Sequence, residues 1–402
     1  MAKILVTGGS GHMGRRAVRS LVEAGNEVIV GDRQPPVDAG GAQFRPVDVL
    51  DAGALAAACG DADAVLNFVG PFYRFGTLVA QAAIQARTPY VDVCDDADTT
   101  EELLALDAAA REAGCPVVVG AGMSPGVLNA VAQCTAANLE EVDEILTAWV
   151  VDEASESGTA PLDHFFHGIS EDIPIWRDGR REVVRPFTAA SAESFPFPEP
   201  IGPVEVRDIG HPETVTLPRS ITARSVRNKG ALLPPQSSPI FQTLAGIGLL
   251  SDATVEVRGV EVRARDFVVA FLTQRHNARG GTASGDRSAM GVRVTGTRGG
   301  QPVKRFVSFA KQLTMADSTA LPAVAALDVL LGDSLPAGVH GPEVLGPERW
   351  FDAITRVAGD LFDGMLVWEG DDDASASSVP LAGLVAEVER RSWALSRAWA
   401  SS

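Results

Sequence analysis

Cysteine is scarce in this chain of 402 residues. Four are present, at positions 59, 94, 115 and 134, and none has Cys-x-x-Cys spacing. That scatter argues against a zinc site or a disulfide framework, so no metal is expected and a reducing, cytoplasmic setting fits. Lysine is as rare: Lys3, Lys229, Lys304 and Lys311 are the whole supply within 34 basic residues, which leaves few candidates for any lysine-dependent chemistry. Positive charge is in deficit overall. The net charge of −18 removes the basic face that a phosphate backbone requires, so no nucleic-acid partner is expected. No apolar run reaches membrane-spanning length and the N-terminus runs straight into a strand, so neither a membrane partner nor a secretory leader is expected.

What is present is glycine, concentrated at the start. Lys3 to Asp32 reads KILVTGGSGHMGRRAVRSLVEAGNEVIVGD. An apolar strand (Ile4, Leu5, Val6) meets a turn holding Gly8, Gly9, Gly11 and Gly14. A helix with Ala17, Val18, Leu21 and Val22 at helical spacing follows, then a second apolar strand ending at Asp32. This is the layout of a dinucleotide-binding unit. Gly8 to Gly14, with Ser10, His12 and Met13 between them, would cradle a pyrophosphate on the helix N-terminus. Asp32 would accept hydrogen bonds from the adenosine ribose. A 2′-phosphate beside that carboxylate would be repelled, which favours NAD; Arg33 directly after it keeps NADP open.

Further along, strands alternate with helices. The expected elements are a strand at Gln43–Val47, a helix from Asp51, the apolar strand Ala64–Phe68, and a helix through Leu78, Val79, Ala82 and Ala83. Then come a strand at Tyr90–Val93, a helix capped by Thr99 or Thr100 running to about Gly114, and a strand at Val117–Val119. The pattern predicts an α/β fold with a Rossmann doubly wound parallel sheet, whose ligands lie beyond the C-terminal strand ends. The loops Gly8–Gly14, Gly70–Gly76, Asp92–Asp96 and Gly120–Gly126 all fall there. From about Ala148 the sequence changes character. Alternating runs at Val255/Val257, Val260/Val262, Val292/Val294 and Val303–Phe309, with Gly299-Gly300 as a hairpin turn, predict a mixed α+β domain with a largely antiparallel sheet. The stretch RNKGALLPPQSSPIFQTLAGIGLLSD reads as a loop and then a helix. Thr319–Leu331, Arg349–Ala358 and Leu381–Trp399 read as helices.

The segment NFVGPFYRFGTLVAQAAIQARTPYVDVCDDADTTEELLALDAAAREAGCPVVVGAGMSPGVLNAVAQ resembles the saccharopine dehydrogenase-like oxidoreductases, as VRNKG and GVHGPEVL do more loosely. The resemblance implies a dinucleotide-binding domain over 1–124, with a C-terminal helix (380–402) returning to it. It also implies a substrate and dimerisation domain over 125–379, a homodimer, and hydride transfer between NAD(H) or NADP(H) and a carbon bearing an amine or imine. It adds Asn67, Gly70, Pro71, Phe72, Gly122 and Met123 to the cofactor contacts. Two positions depart from relatives: Ser124 stands where the saccharopine reductases carry an acid in a Gly-Leu-Asp-Pro-Gly loop, and Ala231 where other members carry a histidine.

Amine–imine hydride transfer asks a protein to orient the partners, manage the nitrogen's proton and hold the substrate's charges. Asp92, Asp95 and Asp96 end a strand beside the expected nicotinamide. Asp95 and Asp96 could steady an iminium or take a proton, or one could cap the next helix. His164 and His167 could hold the proton near neutral pH. Ser124, Pro125, Arg177 and Lys229 are candidate contacts to a small-molecule substrate that is amino-acid- or polyamine-like, and Arg219 and Arg227 are further guanidinium forks for a carboxylate. Two other readings remain at this stage. One is a carbonyl or enoyl reductase that binds an apolar metabolite on Phe165, Phe166, Trp176 and Phe195; the other is a nucleotide-binding protein without turnover.

Overall fold

A computed structural model describes residues 1–38, 40–152, 160–234, 237–278, 287–371 and 376–390. Its first part alternates as the periodicity requires: β1 (Lys3–Thr7), α1 (His12–Glu23), β2 (Glu27–Asp32), β3 (Gln43–Pro46), α2 (Ala52–Gly60), β4 (Ala64–Asn67), α3 (Phe72–Ala86), β5 (Tyr90–Asp92), α4 (Ala97–Leu104), α5 (Asp107–Ala113) and β6 (Pro116–Val118). Asp51 caps α2 through its carboxylate, which accepts the amides of Gly53 and Ala54 at 3.0 Å. The helix expected to run unbroken to Gly114 is two. The chain bends at Ala105–Leu106 and thereby brings the Asp107 carboxylate to the Val339 amide, 3.0 Å away.

The second part contains α6 (Val127–Ala136), β7 (Glu141–Asp152), α7 (Ala160–Ser170), β8 (Ile173–Arg177), β9 (Arg180–Val184), β10 (Glu193–Pro196), β11 (Pro203–Asp208), α8 (Glu213–Ser220), β12 (Ala223–Leu233) and α9 (Ser237–Gly246). After these come β13 (Thr254–Val257), β14 (Val260–Arg263), α10 (Ala264–Ala278), β15 (Arg287–Arg298), β16 (Gln301–Gln312), α11 (Met315–Gly332), β17 (Gly338–His340), α12 (Pro347–Ala358), β18 (Met365–Glu369) and β19 (Ser377–Val379).

Two large sheets result. The first is parallel throughout, in the order β17-β6-β5-β4-β1-β2-β3. Its central strands are buried on both faces, which is why they read as unbroken apolar runs. The second sheet has ten strands, ordered β10-β11-β12-β7-β15-β16-β18-β19 with β8 and β9 beside β12. It is antiparallel except where β12 runs parallel to β7. Gly299 and Gly300 turn β15 into β16 with φ of +59° and +71°, the left-handed backbone that a two-residue hairpin loop demands.

Four expectations are corrected here. Arg227–Leu233 lies inside the long strand β12, not in a loop; its polar residues are paired within the protein, so they do not mark a solvated segment. The valine-rich β13 and β14 pair with each other alone, apart from the large sheet. The 125–379 span is not all substrate domain, because β17 adds to the edge of the parallel sheet and α11 packs on α1. Finally, α11 does reach a membrane-spanning length and hydropathy, yet 67% of it is buried inside the protein, so it is read as a core helix. In the expected returning helix, Leu384 and Val388 are buried. Residues 391–402 lie outside the described residues.

Candidate functional site

The cofactor half is built first by local sequence. Gly11 ends the glycine turn as the N-cap of α1, with no side-chain cap and no acid in the first turn. The first amides of that helix therefore point out with their share of positive charge. A Cβ on Gly14 would sit 2.2 Å from the Gly8 carbonyl oxygen, so only glycine lets α1 approach this closely. Asp32 closes the cradle: its carboxylate accepts the amide of Ser10 at 3.1 Å and that of Arg33 at 2.7 Å. Such a carboxylate keeps acceptor capacity for a ribose hydroxyl. Gly8 to Gly14 and Asp32 thus meet at one place, and the cradle fits a dinucleotide pyrophosphate with its ribose. The Arg33 side chain stands exposed beside it.

Asn67 proves to be internal. Its amide oxygen accepts from Thr7 Oγ1 (2.7 Å) and the Val69 amide (2.9 Å), while its NH₂ donates to the Tyr90 hydroxyl (2.9 Å). Tyr90 then donates to Asp92, whose other oxygen accepts the amides of Cys94 and Gly120. This buried chain stitches together the C-terminal ends of β1, β4, β5 and β6. Burial pushes the Asp92 carboxyl up to about 6. Asn67 is fully buried, and its side chain serves this internal chain. Pro71 caps α3, whose first residue is Phe72.

Beyond those strand ends lies the junction with the second sheet. Asp96 is the N-cap of α4 but gives that helix no side-chain bond. Its carboxylate instead accepts the Tyr73 amide in the first turn of α3 at 2.8 Å and meets Nδ1 of His164 on α7 at 2.7 Å. Asp95, with 30% of its side chain exposed, stands 3.6 Å from the same Nδ1. Burial opposes a charge on His164, but Asp95 and Asp96 outweigh it and raise the imidazole to about 9. Burial, reinforced by Asp96, raises the Asp95 carboxyl in turn. The other ring nitrogen of His164, Nε2, is buried without a partner. Three residues on along α7, His167 bonds Asp98 at 2.8 Å and stacks on Tyr73 at 4.2 Å. The Tyr73 hydroxyl donates to Asp163 (2.9 Å). The two histidines named from sequence thus reach the two loops named from sequence.

Several members of the junction escaped the sequence reading. Ser124 donates to Glu213 Oε1 at 2.6 Å, and Glu213 Oε2 meets Nδ1 of His211 at 2.7 Å. Burial disfavours ionised Glu213, yet His211 and Ser124 hold its carboxyl below the usual range. The His211 ring lies 5.3 Å from that of His164, edge to face, and 5.7 Å from that of Trp149. Arg265, fully buried, lies over Tyr73 and 3.5 Å from His167. The only local signal was a histidine and a glutamate flanking Pro212 at a helix start, a pattern that says nothing about which distant loop they meet. Pro125 follows Ser124 in the loop that crosses into α6. Gly122 and Met123 precede it; Met123 is buried, and its carbonyl oxygen accepts the Leu128 amide of α6.

Other candidates are elsewhere. Lys229 pairs across to Ala148 on β7. In that register Arg227, Lys229 and Ala231 share the sheet face opposite Trp149 and Asn228. Lys229 there donates to the Ser191 carbonyl at 2.7 Å, and Arg227 pairs with Asp208. Arg177 is engaged by Glu182 within the β8–β9 hairpin, and Arg219 is exposed. Phe165 and Phe166 pack with Phe241 in the core, and Phe195 packs with Phe197 on the far face of the second sheet. Trp176 donates its ring N–H to the Ala223 carbonyl. Phe165 meets the junction only through its edge contact with Trp149; the other aromatics named here lie away from it.

Residues 4–118 match the saccharopine dehydrogenase NADP binding domain family. The chain as a whole resembles saccharopine dehydrogenase (L-Glu forming) of Saccharomyces cerevisiae, with a TM-score of 0.65 at 16% identity over 92% of this chain and 99% of that one. It also resembles the DAP dehydrogenase of C. glutamicum, with a TM-score of 0.47 at 15% identity over 88% and 98% of the two chains. At 16% identity what the yeast enzyme shares with this chain is the fold.

Proposed function

We propose that this saccharopine dehydrogenase-like chain is an NAD(P)-dependent oxidoreductase that moves a hydride between nicotinamide and a carbon bearing an amine or imine. The observation that carries this reading is the contact of Asp96 with His164 Nδ1 at 2.7 Å, made across the junction at the strand ends of the dinucleotide sheet. A bound nicotinamide would supply or accept the hydride; the protein's own work is charge and proton control. Asp95 and Asp96 would stabilise a cationic iminium nitrogen, in a site whose low dielectric strengthens each contact. His164, oriented through Nδ1, would present its Nε2 proton to the substrate. The core and far-face positions of Phe165, Phe166 and Phe195 give no support to an apolar-metabolite site.

Asp32 supports NAD as the preferred form, because its carboxylate lines the ribose end of the cradle. Replacing it with alanine should weaken NAD binding far more than NADP binding in a fluorescence titration; equal losses would remove Asp32 as the ribose ligand. The reaction itself is tested by following NADH and NADPH against keto acids with amines, against L-lysine, putrescine and spermidine in the oxidative direction, and against enals. Turnover with a nitrogen-bearing substrate is expected. Turnover on enals alone would overturn the reading. In Asp96→Asn that turnover should fall about a hundredfold or more while NADH affinity holds.

A further inference from the structure

We propose that His211 is the base that takes the substrate ammonium proton, with Glu213 as its positioning residue and Ser124 tying the pair to the loop entering α6. The inference rests on the amine–imine reading above. An amine reaches the site as R₂CH–NH₃⁺, and the nitrogen must lose one proton before its carbon can give up a hydride. The N–H bond breaks, its electron pair stays on nitrogen, and the proton needs an acceptor. Hydride departure to an oxidised nicotinamide then leaves R₂C=NH₂⁺ beside Asp95 and Asp96.

The histidines differ in what they have left to give. His167 has both ring nitrogens engaged, Nε2 by Asp98 at 2.8 Å and Nδ1 by Arg265 at 3.5 Å. His164 has a free Nε2, but two carboxylates at its Nδ1 keep that ring protonated well above neutrality. It is a donor already loaded. His211 is held through Nδ1 by a buried carboxylate, and among the described residues nothing bonds its Nε2. Glu213 thus fixes the tautomer with the lone pair on Nε2 and stabilises the imidazolium that forms, as an orienting carboxylate does for a general base. The second oxygen of Glu213 is fixed by Ser124, so the carboxylate cannot turn away. The two rings lie 5.3 Å apart, edge to face, so the donor on His164 and the acceptor on His211 belong to one corner of the junction.

The charged and titratable groups around His211 are Glu213 on α8, His164 on α7, and Asp95 and Asp96 on the β5–α4 loop; Glu343 stands behind Glu213. Nitrogen NMR on the full chain labelled with ¹⁵N-histidine reads their proton states without substrate. The result expected is His164 protonated on both nitrogens at pH 7.5 and the Nδ1–H tautomer for neutral His211. The Nε2–H tautomer of His211 would overturn the proposal. With an amine that the wild type oxidises, His211→Gln should lower kcat/KM about a hundredfold or more and abolish the acid limb of its pH profile, with NADH affinity kept. Glu213→Gln retains the ring and should shift that limb and lower the rate less. Unimpaired turnover in His211→Gln overturns the base while leaving the amine reaction standing. A wild type that oxidises no amine overturns both.

Discussion

At the scale of single residues, the junction depends on carboxylates that each serve two partners. Asp96 accepts the Tyr73 amide in the first turn of α3 and holds His164, so its replacement disturbs both the joint between domains and the charge on the imidazole. That charge has a consequence for stability. The folded His164 titrates near 9 against an ordinary value of 6.5. A raised folded value means the stabilisation is complete below the unfolded value and is lost as pH rises through the folded one. The melting temperature should therefore fall between about pH 7 and 9, and His164→Gln should flatten that slope; an equal slope in the variant would locate the titration elsewhere. Gly14 carries the opposite kind of constraint, one of space. With a Cβ placed 2.2 Å from the Gly8 oxygen, Gly14→Ala should push α1 off the turn and abolish NADH binding in a fluorescence titration. Retained binding would mean that the turn can open without loss of the cradle.

At the scale of elements, what could be read from sequence was whatever a short window encodes. Lys3 to Asp32 holds its own strand, turn, helix and strand, so the periodicity and the glycines were enough. Gly299-Gly300 likewise carried its hairpin. In β12, Arg227, Asn228 and Lys229 look like a solvated loop; yet Asn228 and Lys229 are buried and Arg227 is half-buried, and they pair with Thr147, Ser191 and Asp208 on segments that no local pattern connects to them. β17 is only three residues long, and its pairing with β6 joins positions more than two hundred residues apart in the chain. The site divides along that line. Asp95, Asp96, His164 and His167 stood out by residue type at strand ends and in an unusual aromatic stretch. His211 and Glu213 gain their meaning from Ser124, 89 residues away, and could be found only once the chain was folded.

At the scale of the whole molecule, the parallel sheet offers the dinucleotide cradle and the ten-stranded sheet supplies α7 and α8 against its strand ends. Asp96–His164, Asp98–His167, Tyr73–Asp163 and the two-pronged Glu101–Arg181 pair join the halves. We further propose a homodimer through the second-domain sheet; light scattering at micromolar concentration should return twice the mass of one chain, and a monomer would remove the idea. In the proposed reaction, hydride passes directly to a nitrogen-bearing carbon at the Asp96–His164 junction. NADH deuterated at nicotinamide C4, run in the reductive direction with the substrate identified by screening, tests it most directly by mass spectrometry. The product should carry one deuterium on the carbon bonded to nitrogen, and Asp96→Asn should lose that transfer at saturating NADH. Product without deuterium at that carbon, or undiminished transfer in the variant, would contradict it.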